Sequence, residues 1–69
     1  MGIGNRIKIA RKRKKITQKE LGEKLNLSPS TITLIEQEKS GLTIPSLILI
    51  CKECDVTADW ILFGNEKES

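Results

Sequence analysis

The sequence predicts an all-α fold: one domain built of five short helices. Three observations predict it. The chain has 69 residues, a length that holds one core at most and buries only about 60% of the surface its unfolded form exposes. Its apolar residues recur three and four positions apart, the spacing that lines one face of a helix. A hydroxyl residue (Thr17, Ser28, Thr43 or Thr57) also stands directly before each of four apolar-periodic runs. At those positions a helix needs an oxygen to accept from its unpaired first-turn amides. Hydrophobic residues make up 38% of the chain and the only aromatics are Trp60 and Phe63, so the core must be aliphatic.

The first helix is predicted over 3–14. Ile3, Ile7 and Ala10 form one stripe, Arg11 and Lys14 lie beside it, and the remaining surface is basic. The second is predicted over 18–25. Thr17-Gln-Lys-Glu20 matches a capping box, in which the hydroxyl accepts from the third-position amide and the carboxylate reaches back to the cap amide. Leu21 and Leu25 mark its buried face. Gly22, inside it, costs roughly 1 kcal/mol relative to Ala. A helix accepts that cost most readily where another backbone crosses close by, and the third helix begins six residues later. Asn26 ends the second helix, being one of the few non-glycine residues that tolerate the left-handed conformation.

The third helix is predicted over 29–36. Ser28 caps it, and Pro29 takes the first position, where no needed hydrogen bond is lost. Ile32 and Ile35 face inward, leaving Ser30, Thr31, Thr33 and Leu34 outward or sideways. Residues 37–43 form a loop. The fourth helix, 44–54, is capped by Thr43 and carries Pro45 in its first turn. Its predicted buried face is Ile44, Leu47, Ile48, Cys51 and Cys54. The fifth, 58–63, follows Thr57 and is closed by Gly64. Trp60, Ile61 and Phe63 crowd it, more than so short a helix is expected to bury in its own subunit. The domain is expected to span 1–64, with 65–69 a polar tail.

Composition narrows the function classes. No apolar run approaches the 18 residues of a membrane span, and the N-terminus lacks the apolar stretch of a signal peptide. A cytoplasmic protein with reduced cysteines is the expectation. There is no histidine, the acids are scattered over helix faces, and Ser28 and Ser30 have cap and surface roles, so no catalytic residue and no cofactor is expected. Cys51-Lys-Glu-Cys54 lies late in a helix, whereas a redox pair needs a helix N-terminus beside a strand. Zinc would need four ligands, which this chain lacks. The cysteines are expected to pack in the core, and no metal is expected. Net charge is +3, but residues 1–15 carry +7 with no acid while 16–69 carry −4. Such a block suits a polyanion and equally a solvated basic face.

The segment TQKELGEKLNLSPSTITLIE combines helix, three-residue turn and helix, with a small residue at Gly22 and apolar residues at Leu27, Ile32 and Ile35. That is the spacing of a helix-turn-helix. Together with the basic RIKIARKRKKIT and the closing VTADWILFG, it resembles the phage Cro and repressor family, the xenobiotic-response-element type, over nearly the whole chain. The resemblance implies a five-helix repressor-like domain, binding to double-stranded DNA and a symmetric homodimer. It places Pro29, Ser30, Thr31, Thr33 and Leu34 at the bases. It places Gln18 on a phosphate, at the second helix's N-terminus, and Lys39, Ser40 and Gly41 against the other strand's backbone. Arg11 and Lys19 join the backbone set, while Arg6, Lys8, Lys12, Arg13 and Lys15 supply long-range attraction. Arg11 and Glu36 match an ion pair found in several relatives. Trp60, Ile61 and Phe63 match much of the dimer interface.

Three departures stand out. Asn26 replaces a common glycine, Gln37-Glu38-Lys39 replaces Arg-Gly-Lys, and Leu42 replaces a proline. Glu38 is expected to point away from DNA. None of the five base-facing residues is Arg, Lys, Asn or Gln, the types that pair bidentately with base edges. Readout is therefore expected to be apolar and hydroxyl-based, favouring thymine-bearing steps, with DNA shape supplying the remainder. The resulting expectation is a transcriptional regulator, a repressor occupying a palindromic operator. An antitoxin, a restriction-modification controller, or a protein-interaction module with a protein partner are the alternatives on the same fold.

Overall fold

The computed structural model describes residues 2–64, so the 65–69 tail lies outside the described residues. Five helices follow one another: α1 (Ile3–Arg13), α2 (Gln18–Leu25), α3 (Pro29–Glu36), α4 (Ile44–Cys54) and α5 (Ala58–Phe63). Their limits match the sequence reading except at the end of α1. That helix stops at Arg13 and not at Lys14, because Lys14 is the C-cap and Lys15 turns left-handed at φ 59°.

The caps form as the residue types require. Thr17 Oγ1 accepts from the Glu20 amide at 3.0 Å, and Glu20 Oε1 accepts from the Thr17 amide at 2.8 Å, completing the capping box. Ser28, Thr43 and Thr57 accept from the amides of Thr31, Ser46 and Trp60. Asn26, at φ 60°, ends α2, and Asp55, at φ 57°, ends α4 in the same way.

Gly22 does meet a backbone, though not that of α3. A Cβ there would collide with the carbonyl oxygen of Leu27 in the turn, whose amide donates to Gly22 O at 2.7 Å. The glycine thus lets the turn fold back onto α2. Ile32 of α3 lies just behind it, its Cγ1 3.5 Å from where that Cβ would stand.

Ile7, Ala10, Leu21, Leu25, Ile32 and Ile35 enter the core as predicted. The fourth helix does not follow its predicted face. Leu47, Ile50 and Cys54 are buried, while Ile44 is 67% and Ile48 50% exposed. The run LILIC, residues 47–51, is apolar all round, so a stripe through Leu47 and Ile50 is as regular as one through Ile44 and Ile48. Packing against α1, α2 and α5 selects the former. Among the described residues, no helix is long and apolar enough to cross a membrane.

The fifth helix also differs from expectation. Trp60 and Ile61 are buried within the subunit, and only Phe63 is left outside, 76% exposed. Arginines of α1 help hold α5 in place. Arg13 stands 5.2 Å over the Trp60 ring, within cation–π range. Arg6 Nε donates to Ile61 O at 2.7 Å and its Nη2 to Leu62 O at 3.1 Å. A guanidinium there satisfies carbonyls that a helix C-terminus leaves without amide partners.

Candidate nucleic-acid interface

Three helices meet at one polar network. Arg11 Nε donates to Glu36 Oε2 at 2.7 Å and its Nη2 to Glu36 Oε1 at 3.3 Å, a forked pair between the end of α1 and the end of α3. Arg11 Nη1 also donates to Ile16 O at 2.9 Å, bracing the turn that leads into α2. Gln18, first residue of α2, donates from Nε2 to Glu36 Oε1 at 3.1 Å. Its Oε1 accepts from Thr33 Oγ1 at 3.0 Å. Arg11 and Glu36 are both buried, so the pair has lost most of its water, and the bonds from Gln18 and to Ile16 compensate part of that loss.

This network fixes α3 by its inner side and leaves its outer side to solvent. Pro29, Ser30 and Leu34 are exposed, while Thr31 and Thr33 are half-buried on its flanks. Thr31 Oγ1 lies 3.0 Å from Ser28 Oγ. The outer ridge does not stop at Leu34. Gln37, the C-cap of α3, keeps helical geometry at φ −87°, ψ −2° and is exposed. It stands seven residues after Ser30 and three after Leu34, so it extends their row. Sequence reading put Gln37 in the loop and found no amide side chain on the reading face. The i, i+4, i+7 spacing of Ser30, Leu34 and Gln37 was the available signal.

Arg11, expected to have both a structural and a phosphate-facing role, is 7% exposed and gives one hydrogen bond from each of its three nitrogens to Glu36 and Ile16. Gln18 is half-buried, with both ends of its amide already bonded. Lys19, Lys39, Ser40 and Gly41 are exposed. The Lys39 amide donates to Leu34 O at 2.9 Å and the Glu38 amide to Ile35 O at 3.0 Å, closing α3, so the Lys39 amide is not available to a ligand. Glu38 turns onto α1: its Oε2 accepts from the Gly4 amide at 3.0 Å, where the positive end of the helix favours a carboxylate. Trp60 and Ile61 are core residues, so of the expected dimer trio only Phe63 is at the surface.

The cysteines lie apart from this face. Cys54 is buried and Cys51 half-buried, and both are free thiols. Burial pushes both thiols above their ordinary range, and the neighbouring Glu53 carboxylate adds to the effect at Cys54.

A helix-turn-helix family model matches residues 7–61, from the middle of α1 into α5. The chain belongs to the helix-turn-helix family. Among its relatives is the HTH-type transcriptional regulator DicA of Escherichia coli K12, 36% identical over 64 residues, which cover 93% of this chain and 47% of DicA. The immunity repressor protein of Bacillus phage phi105 is 43% identical over 47 residues, covering 68% of this chain and 33% of the repressor. This helix-turn-helix chain therefore spans about half or less of the length of these curated relatives. Among solved structures, the P22 c2 repressor in complex with a synthetic operator superposes with a TM-score of 0.86. The two are 28% identical, and the match covers 94% of this chain and 98% of that one.

Proposed function

We propose that this helix-turn-helix chain is a sequence-specific DNA-binding transcriptional regulator, a repressor that occupies a palindromic operator as a homodimer. The observation that carries the reading is the exposed outer row of α3 (Ser30, Leu34 and Gln37, flanked by Thr31 and Thr33), braced from behind by Arg11, Glu36 and Gln18. A helix presented to solvent by a rigid, buried network suits the major groove, which admits one α-helix and displays a distinct donor and acceptor pattern for each base pair. Similarity to a protein named as a transcriptional regulator, to one named as an immunity repressor, and to a repressor solved on its operator supports the same conclusion.

In this reading residues 1–64 are the DNA-binding domain and 65–69 a tail. The protein acts in the cytoplasm by occupancy, without catalysis. Pro29, Ser30, Thr31, Thr33, Leu34 and Gln37 face the bases. Lys19, Lys39, Ser40 and Gly41 face phosphates. The α2 N-terminus offers a further phosphate its positive end, and Gln18 stands there with its amide kept on Glu36 and Thr33. Phe63 is the residue we assign to the contact between copies. Two-fold pairing sets the α3 helices about 34 Å apart, one turn of B-DNA, and the molecule's longest dimension of 33 Å is compatible with one copy per half-site.

Selection of bound duplexes from a random pool, followed by anisotropy titration of the winners, tests this. Recovery of an inverted repeat bound more tightly than random duplex, by two chains per site, is the expected result. Failure to retain any duplex in low-salt buffer would remove the reading. Binding by a single chain would remove the dimer alone.

A further inference from the structure

We infer that Thr33 reads its base with fixed polarity, accepting a hydrogen bond and never offering one, so that this position selects an amino base (adenine or cytosine) over a keto base (guanine or thymine). The inference rests on the DNA reading above. A threonine hydroxyl is ordinarily ambivalent, because its hydrogen rotates to suit either a donor or an acceptor. Here the choice is made by the protein, and the chain of constraint starts two residues away from any base.

The carboxylate of Glu36, forked to Arg11, has only acceptor oxygens to offer. The Gln18 amide lies 3.1 Å from Glu36 Oε1, so it must turn its nitrogen to that oxygen. Assignment of an amide's two ends is otherwise ambiguous, but a carboxylate neighbour removes the ambiguity. With the nitrogen on Glu36, the oxygen of Gln18 faces Thr33 Oγ1 at 3.0 Å. An amide oxygen only accepts, so Thr33 must donate. The second partner of that hydroxyl, Pro29 O at 3.1 Å, is also an acceptor. Both protein groups within reach therefore compete for the one hydroxyl hydrogen, and what remains on the half-buried flank of α3 is a lone pair.

In the major groove adenine presents N6–H2 and cytosine N4–H2 as donors, whereas guanine O6 and thymine O4 are acceptors. A lone pair facing the groove attracts the first two and repels the second two. The same buried ion pair that holds α3 in place thus also dictates which half of the base alphabet Thr33 accepts. Leu34 and the threonine methyl group carry no such sign.

The test is base-specificity profiling of the purified chain and two variants, measured as relative affinity for every single-base change in the selected site. Thr33→Ser keeps the hydroxyl and loses the methyl. Thr33→Val keeps the shape and loses the hydroxyl. Thermal melting of each variant establishes that it is folded.

The expected result is one position per half-site where adenine and cytosine are preferred over guanine and thymine by about three- to tenfold, the worth of one hydrogen bond. Thr33→Ser keeps that preference, and Thr33→Val levels it while preferences elsewhere in the site persist. The polarity inference is overturned if the position that responds to Thr33→Val prefers guanine or thymine. It is overturned equally if Thr33→Ser loses the preference, or if no position responds. In each of those cases the wild-type chain still shows sequence preference and the DNA reading stands. If the wild-type chain retains no duplex at all, the DNA reading fails and this inference with it.

Discussion

Seven bases stand within the first fifteen residues, and the three arginines among them have partners inside the protein. Arg11 is forked onto Glu36, Arg6 onto the last carbonyls of α5, and Arg13 lies over the Trp60 ring. Lys8, Lys12, Lys14 and Lys15 are exposed. The division follows side-chain chemistry. A planar, weakly hydrated guanidinium matches a carboxylate, a pair of carbonyls or an aromatic face, whereas an ammonium keeps its water. The basic block is therefore partly structural, and only its lysines remain as a diffuse attractive field. Replacing Glu36 by Ala should cost about 3–5 kcal/mol in urea denaturation, because it strands the buried Arg11 charge. The double change Arg11→Met with Glu36→Leu should recover most of that loss. If Glu36→Ala unfolds at the wild-type midpoint, the pair contributes nothing. A second expectation concerns the thiols. Both titrate above the ordinary value of about 8.5. Native alkylation at pH 7 should be slow at Cys51 and slower still at Cys54, and both should speed up on unfolding. The sign for stability follows. A proton held more tightly in the folded state leaves stability intact below the unfolded thiol value and lowers it as pH rises past that value. Fast labelling of Cys54 in the native protein would contradict its burial.

At the level of elements, the helix junctions depend on missing side chains. Gly22 admits the Leu27 carbonyl, and Gly4 admits the carbonyls of Ile35 and Glu36 where α1 begins against the end of α3. These neighbours are backbone and cannot swing aside. Gly22→Ala and Gly4→Ala should each destabilise by about 1–3 kcal/mol, the usual cost of overpacking, despite the better helix propensity of Ala. Thermal melting of the two variants checks this, and an unchanged or raised Tm in either would mean its junction can open freely. The α1–α2 turn invites the opposite change. Lys15 holds φ 59° with an exposed side chain, a conformation that costs a non-glycine residue roughly 1–2 kcal/mol. Lys15→Gly should stabilise by about 0.5–1 kcal/mol once the larger entropy of the unfolded glycine is subtracted. Melting and urea curves should both move upward.

For the whole molecule the relevant quantity is where charge ends up after folding. If α3 enters a groove, Lys39 in the following loop meets the backbone, and Lys39→Ala should weaken binding to all duplexes alike while reducing the salt dependence by about one phosphate. A loss confined to one operator would instead mark Lys39 as a base reader. The helix limits were legible in the sequence because caps are local. Thr17, Ser28, Thr43, Thr57 and Asn26 each act on amides or dihedrals within a few residues of themselves, so their types alone announce where helices start and stop. The Arg11–Glu36 pair was legible only through resemblance to a family, since the two are 25 residues apart. The rotation of α4 was not legible at all. With Ile44, Leu47, Ile48, Leu49, Ile50 and Cys51 nearly contiguous, no period singles out a face, and only the neighbouring helices decide that Ile50 goes in and Ile44 stays out. The availability of Trp60 and Ile61 failed for a related reason: the space that receives them is shaped by α1, which precedes them by more than forty residues. By itself, then, the sequence determined five helices, their caps, the helix-turn-helix and most of the core, because those depend on contacts a few residues apart. Tertiary structure alone decided that Arg6 and Arg13 turn onto α5, which face of α4 is bare and which way the Thr33 hydroxyl is turned, because each is set by partners distant in the chain.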